Sequence, residues 1–248
     1  MTRVAVLGAK GRMGSESVAA LTAADGIEVV AEIDLGDPLD ALTGARAEVV
    51  VDFTNPSVVM DNLHWCIEHG INAVVGTSGF SDERVAEVRA WLGDNPSVGV
   101  LVVPNFSIGA VLMMRFSAIA APFFESVEVI ELHHPDKIDA PSGTAVRTAE
   151  LIASARTAAA SGPIPDATTD DPDGARGASV NGIPVHSIRA RGMVASQEVL
   201  FGGNGETLTI RHDSIHRESF MPGVIAAVRG AVGLRGVTVG LDSVLGLD

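Results

Sequence analysis

Arg3-Val4-Ala5-Val6-Leu7-Gly8-Ala9-Lys10-Gly11-Arg12-Met13-Gly14 opens the chain with an apolar run and a glycine-rich turn, and a helical stretch follows over about 15–24. Glycines at 8, 11 and 14 fit G-x-x-G-x-x-G, a variant of the dinucleotide fingerprint. In it, small residues let the backbone approach a pyrophosphate at a helix N-terminus. The pattern is weak alone and gains from its context. A second apolar run, 27–33, ends at Asp34, close to the offset of ~20 residues at which an acidic side chain holds ribose hydroxyls. The two features together favour a nucleotide site over a glycine turn that is only structural. Its residues would be Gly8, Ala9, Lys10, Gly11, Arg12, Met13 and Asp34.

The alternation continues outward with a strand at 48–53, a helix at about 56–69, a strand at 72–76, a helix at about 82–93 and a strand at 98–103. Strands that are apolar throughout and separated by helices predict a parallel sheet covered on both faces, the Rossmann-type doubly wound α/β plan. Ligands of such sheets lie outside the carboxyl ends of the strands. Those ends read Gly8-Ala9-Lys10, Asp34, Phe53-Thr54, Gly76-Thr77-Ser78-Gly79 and, after Val103, Pro104-Asn105-Phe106. Any one of these is an ordinary turn, but five in register suggest a groove.

After Phe106 the pattern changes. A helix at 108–124 leads into a strand at 127–132, and strand-like runs at 183–191, 194–201 and 206–213 dominate the last third. Between them, 161–182 carries three prolines and four glycines; it reads as a long loop, a form that in compact domains often serves as a lid or excursion. An α+β open-sheet domain inserted after the nucleotide domain is the expectation. The chain then runs through Pro222 at a helix start, an apolar stretch at 224–232 and another at 237–247. Periodicity alone leaves open whether this stretch returns to the first domain. No internal repeat of useful length is present.

Composition narrows the classes. The 248 residues are 46% hydrophobic, which excludes a disordered chain, and no apolar run reaches the roughly 18 residues of a membrane span. The first residues lack a charged leader, an apolar stretch and a small-residue cleavage site, so a soluble cytoplasmic protein is expected. Cys66 is the only cysteine; it excludes an intramolecular disulfide or a multi-cysteine metal site and reads as a small buried hydrophobe. A net charge of -14 argues against nucleic acid or an anionic membrane as partner. An anionic ligand would need local cations, and these are Lys10, Arg12 and Lys137.

Lys10 and Lys137 are the only lysines in a chain whose other basic residues are all arginine. An ammonium is compact, rotatable and able to give up a proton, where a guanidinium is broad and permanently charged. Lys137 stands in Glu131-Leu132-His133-His134-Pro135-Asp136-Lys137-Ile138-Asp139-Ala140-Pro141-Ser142-Gly143-Thr144. Strand periodicity puts Glu131 and His133 on one face and His134 on the other until the chain turns at Pro135. A histidine titrating near neutrality and a lysine together suit proton delivery. Gly143 and Thr144 open a helical run to about 160, so their N–H groups and the helix dipole suit a carboxylate, with Ser142 as N-cap. Asp139 would either orient Lys137 or be a solvated turn residue. His64, His69, His186, His212 and His216 show no metal-ligand spacing, and no metal is expected.

With the glycine loop, Gly76-Thr77-Ser78-Gly79-Phe80, Pro104-Asn105-Phe106 and above all the segment 131–144 in view, the whole chain resembles dihydrodipicolinate reductase of bacterial lysine and diaminopimelate biosynthesis, in an actinobacterial-like form. The His-His-Lys segment with its D-A-P-S-G-T ending is the specific part. The resemblance implies a discontinuous nucleotide domain, 1–106 with 218–248, and a substrate-binding and tetramerisation domain, 107–217. It implies reduction of 4-hydroxy-tetrahydrodipicolinate, a cyclic imine dicarboxylate, by NADH or NADPH, in a homotetramer joined through the central sheet. His133 would be the general acid or base, Lys137 the proton donor, and His134, Gly143 and Thr144 substrate contacts. Gly76, Thr77, Ser78, Val103, Pro104, Asn105 and Phe106 would join the cofactor contacts.

Asp34 should accept from the adenosine ribose and repel a 2′-phosphate, and Leu35 follows where some relatives carry arginine, which favours NADH; Lys10 and Arg12 leave dual use open. Two departures from the family pattern stand out: Ser78 within Gly-Thr-Ser-Gly, and Ser196 where close relatives often have histidine. The rivals are another nicotinamide enzyme on the same scaffold and a non-catalytic nucleotide sensor. The former would not need paired carboxylate anchors, and the latter would tolerate loss of His133 or Lys137.

Overall fold

The computed structural model describes residues 1–77 and 79–247, which divide into two compact units. Met1–Ile108 and the chain from Arg217 onward form the first. It runs β1 (Thr2–Leu7), α1 (Arg12–Ala23), β2 (Ile27–Ile33), α2 (Asp40–Gly44), β3 (Val49–Asp52), α3 (Val59–Glu68), β4 (Asn72–Val75), α4 (Asp82–Leu92) and β5 (Gly99–Val102). The strands form a parallel sheet in the order β11-β5-β4-β3-β1-β2, whose sixth member is named below.

Because β1 leads outward to β2 on one side and the chain resumes at β3 on the other, the order reverses beside β1, where the connecting loops part and leave a crevice. The inner strands β1, β3, β4 and β5 are buried on both faces. Val59 and Leu63 of α3 and Val88 of α4 pack with Ala73, Val75, Val100 and Val102, while Cys66 of α3 joins Ala5, Leu7, Ile33 and Val50. Burial and the neighbouring charge of Asp52 push the Cys66 thiol up to about 12.

The C-terminal stretch supplies α7 (Met221–Ala231), which packs on α1 and against β3, β4 and β5, and β11 (Gly236–Val239), the edge strand parallel to β5. Periodicity left that return undecided, since four residues of parallel edge strand carry no signal of their own partner.

The second unit, Gly109–His216, takes in most of α5 (Ile108–Ala120), then β6 (Ser126–His133), α6 (Gly143–Ala158), β7 (Ala178–Val180), β8 (Ile183–Arg189), β9 (Ala195–Gly203) and β10 (Glu206–Ser214). They form an open mixed sheet, β10-β9-β6-β8-β7, in which β6 and β8 are parallel. Alternate residues Val127 and Val129 of β6 meet Val185, Val199 and Phe201 on the face that takes Ala145, Ala149 and Ile152 of α6. Buried Arg156 of α6 donates to the carbonyls of Ala121, Phe124, Glu125 and Gly162; its fork ties the start of the long loop to the helix end.

That loop is shorter than the 161–182 expected. Val180 pairs with Ile183 across Asn181-Gly182, both at positive φ, a tight hairpin of the kind that Asn-Gly favours. The short helix α2 also went unread, being too brief to show periodicity. Among the described residues no helix is long and apolar enough to cross a membrane.

Candidate active site

At the first unit's strand ends the glycine turn is shaped by backbone contact. Gly8 has φ +73°, and a Cβ there would lie 2.7 Å from the Phe53 carbonyl oxygen, so only glycine lets the β1 loop pass the end of β3. The N–H groups of Gly8 and Ala9 both donate to the Ile33 carbonyl. Helix α1 begins behind this turn with Gly11 as N-cap, no side-chain cap and no acid in its first turn. Exposed Lys10 and Arg12 flank it. A helix N-terminus so arranged fits the pyrophosphate of a dinucleotide.

Asp34 accepts from Lys10 N–H at 2.7 Å and Leu35 N–H at 2.8 Å; these two bonds hold its carboxyl below the ordinary range. The charge is thereby fixed at the end of β2, with Leu35 98% exposed beside it.

Sequence reasoning missed the residue that organises the next two loops. Asp52, at the end of β3, is fully buried. Its Oδ1 accepts from Thr54 N–H (2.9 Å), Thr54 Oγ1 (2.6 Å) and Thr77 Oγ1 (2.9 Å), and its Oδ2 from Asn62 Nδ2 (2.8 Å). It thus joins the loops after β3 and β4. Its signal was a carboxylate closing the all-valine run Val49-Val50-Val51, since a buried charge must be satisfied locally. The rings of Phe53 and Phe106, with centroids 5.4 Å apart, both crowd Gly76, where a Cβ would lie 2.1 Å from Phe53 Cε1 and 2.7 Å from Phe106 Cε2. Val103 N–H donates to the Val75 carbonyl, and Asn105 Oδ1 accepts from Ser107 N–H in the loop that begins at Pro104. Ser78 lies outside the described residues.

In the second unit, the end of β6 carries a cluster around Glu131, whose side chain is wholly buried. His133, two residues on and on the same face, places Nδ1 at 2.5 Å from Glu131 Oε2. Arg189 of β8, in register opposite His133, donates to Glu131 through both nitrogens of its fork, at 2.7 and 2.8 Å. Ser142 N–H donates to Glu131 Oε1 at 3.2 Å. Burial opposes ionisation of Glu131, yet the bonds from Arg189, Ser187 and His133 outweigh it and hold the carboxyl down at about 2. Burial, reinforced by the charges of Lys137 and Arg189, holds His133 below its ordinary 6.5 despite the pull of Glu131. At 2.5 Å from Glu131 Oε2, Nδ1 is placed to donate to that oxygen when it carries the ring proton.

A carboxylate with a depressed folded-state pKa stabilises the fold above its unfolded value, and loses that contribution as pH falls through the folded one. The Tm advantage of the native chain over Glu131→Gln is therefore full at neutral pH. It narrows as pH is lowered from about 5 to about 2; thermal melts showing a constant gap would contradict the depressed carboxyl.

The turn beyond β6 is closed by Lys137 N–H donating to the His134 carbonyl. Lys137 Nζ donates to both oxygens of Asp139, at 2.7 and 2.9 Å, and Arg189 Nη2 to the Asp139 carbonyl at 2.8 Å. Asp139 thus orients Lys137, whose hydrogen bonds hold the Asp139 carboxyl below its usual range. Ser142 caps α6, its Oγ accepting from Ala145 N–H at 3.2 Å. Nothing lies within 4 Å of a Cβ placed on Gly143, so this helix end is open. His134 is exposed on the turn. Ser196 lies on the opposite face, in register with Leu132 rather than His133, and bonds Asp213; its departure from the family pattern leaves the Glu131 cluster untouched. Among the described residues no group of three histidine, cysteine or acidic side chains is placed to hold a metal.

The profile described as "Dihydrodipicolinate reductase, N-terminus" matches residues 2–106, and that described as "Dihydrodipicolinate reductase, C-terminus" matches 109–245. The 4-hydroxy-tetrahydrodipicolinate reductases of Streptomyces griseus and Nocardia farcinica are 61% and 62% identical, over 99% of this chain and 98% and 99% of theirs. A dipicolinate-bound dihydrodipicolinate reductase from Paenisporosarcina sp. TG-14 superposes with a TM-score of 0.86 at 36% identity, covering 98% of this chain and 99% of that one. An amine dehydrogenase from Mycobacterium smegmatis, 14% identical with a TM-score of 0.61, covering 96% of this chain and 94% of its own, shares the fold alone. With glycine turn, acidic strand end and His-His-Lys turn all in place along a chain matched nearly end to end, this protein belongs to the dihydrodipicolinate reductase family.

Proposed function

We propose that the chain reduces 4-hydroxy-tetrahydrodipicolinate to tetrahydrodipicolinate in lysine and diaminopimelate biosynthesis, as a cytoplasmic NAD(P)H-dependent enzyme. The observation that carries this reading is the end of β6. His133, the Lys137 ammonium and the N-terminus of α6 at Gly143 and Thr144 stand within one turn and the helix that follows it. A cyclic imine dicarboxylate needs anion contacts and a proton source, and these groups offer both.

The nicotinamide cofactor supplies hydride when bound. Gly8 to Met13 would hold its pyrophosphate, Asp34 its ribose, and Gly76, Thr77 and Val103 to Phe106 the remainder. On the substrate side, Gly143 and Thr144 N–H groups would take one carboxylate and exposed His134 would meet a carboxylate. Lys137, held by both oxygens of Asp139, would give the proton. His133, with Nδ1 turned to Glu131, would use Nε2 to accept or relay protons rather than start as the acid. The assembly we read is a homotetramer built on the second unit's sheet, one face of which takes α6 while Ile130 and Ile188 lie on the other.

The test is oxidation of NADH, and separately NADPH, on addition of freshly made dihydrodipicolinate synthase product. Turnover is expected with NADH giving the higher kcat/KM, because Asp34 is charged where a 2′-phosphate would sit and Leu35 adds no cation. A strong NADPH preference would overturn the argument from Asp34. Absence of turnover with either cofactor would overturn the function.

A further inference from the structure

Glu131 touches neither ligand in the reading above, yet more of the second unit's site converges on it than on any residue with an assigned role. It is a fully buried acid that shares Oε2 between His133 Nδ1 and Arg189 Nη1 and gives Oε1 to Arg189 Nη2 and the Ser142 N–H. These partners come from three places: the end of β6, the end of β8 and the N-cap of α6. Between them they fix the histidine, the frame of the Lys137 turn through Arg189 and the Asp139 carbonyl, and the helix end.

We propose that Glu131, with Arg189 as its counter-ion, is a positioning residue for the reaction: it locks His133 as the Nδ1–H tautomer, so that the lone pair lies at Nε2, on the opposite side of the ring, for proton exchange with substrate. This rests on the reading of His133 as a group of the proton chemistry.

The chemistry follows from the donors present. Arg189 and the Ser142 N–H can only donate, so the oxygens they bind belong to an acceptor, and His133 Nδ1 against such an oxygen must carry hydrogen. An ionised partner alone would favour a protonated imidazole. Arg189 neutralises that charge through two parallel bonds, and Lys137 adds a second cation near the ring. The remaining neighbour, β9, presents Ala195 opposite His133 and neutral Gln197 opposite Glu131, with Gln197 Nε2 bonded to Thr148 of α6. The ring therefore stays uncharged while its orientation is kept. Without Glu131, burial and two cations act on His133 unopposed; without Arg189, Glu131 acts on it unscreened.

Nitrogen NMR of ¹⁵N-histidine-labelled protein, with His133→Asn assigning the resonance, reads the tautomer without reference to turnover. The expected spectrum at neutral pH has His133 protonated at Nδ1 in the wild type and redistributed toward Nε2 in Glu131→Gln. Kinetically, Glu131→Gln should lower kcat by ~100-fold, the scale of a proton-transfer group. Its acid limb of kcat/KM should move to lower pH and its NADH Kd should be unchanged, while Arg189→Gln moves that limb to higher pH. Opposite displacements are not produced by mere loosening of the fold. A wild-type His133 protonated at Nε2 overturns the proposal even if neither variant folds, and so does an unshifted tautomer with kcat within twofold in Glu131→Gln. If the wild type shows the Nδ1–H tautomer but no turnover of the proposed substrate, it is the functional reading that fails and the positioning that stands.

Discussion

Lys137→Ala lowers kcat by more than ~100-fold, the contribution expected of a positioned proton donor, with the dissociation constant for NADH unchanged. The geometry predicts the loss of kcat. Nζ is held by both oxygens of Asp139 at 2.7 and 2.9 Å, and its side chain is 20% exposed. The ammonium is thereby restrained to one region of the turn while one of its three N–H groups is free of Asp139.

Lys137→Arg should not restore turnover, because a guanidinium keeps the charge for carboxylate binding but does not release a proton near neutral pH. It should recover KM for the dicarboxylate more than kcat, which separates the anchoring contribution from the acid. Steady-state NADH oxidation by the two variants at equal folded content checks this. Undiminished turnover in Lys137→Ala would remove Lys137 as the acid, and full recovery in Lys137→Arg would reduce its role to charge.

What the sequence disclosed divides along physical lines. The parallel sheet was legible because β1, β3, β4 and β5 are apolar runs buried on both faces, a pattern that does not depend on partners. Gly8 to Gly14 and Asp34 were legible because their spacing is local. Glu131 could be assigned to the face of His133 by alternation, but its partner Arg189 lies 58 residues away and meets it only through the parallel register of β6 and β8. Nothing in a chain with fifteen arginines singles out that one before the sheet is known. Asp52 was hidden differently. Its partners Thr54 and Asn62 are close in sequence, but Thr77 reaches it only because β3 and β4 are neighbours. The hairpin at Asn181-Gly182 has a local signal in its turn dipeptide, but the polar, glycine-rich loop before it masks that signal.

Gly14→Ala is expected to lower both stability and NADH affinity, although alanine is the better helix former by about 1 kcal/mol. A Cβ on Gly14 would lie 2.0 Å from the Gly8 carbonyl oxygen, 2.8 Å from its carbon and 2.9 Å from Ala9 Cα. All three are backbone atoms, so no side chain can turn aside. Either α1 must lift from β1, disturbing the contact of buried Ser17 with Met221 of α7, or the Gly8 turn must leave the end of β3.

Overpacking of this kind costs about 1–3 kcal/mol, which in a chain of this size is a fall in Tm of about 2–12 °C. Because either escape also moves the Gly8 turn or the start of α1, NADH affinity falls with it. Two other glycines supply the controls. A Cβ on Gly11 lies 3.1 Å from the Gly8 oxygen, where a few tenths of an ångström suffice, and one on Gly143 meets nothing within 4 Å. Calorimetry should therefore rank the alanine variants Gly14 well below Gly11, with Gly143 at the native Tm, while Gly143→Ala raises KM for the dicarboxylate. A native melting curve and native NADH affinity in Gly14→Ala would mean that α1 does not approach β1 as closely as this structure shows.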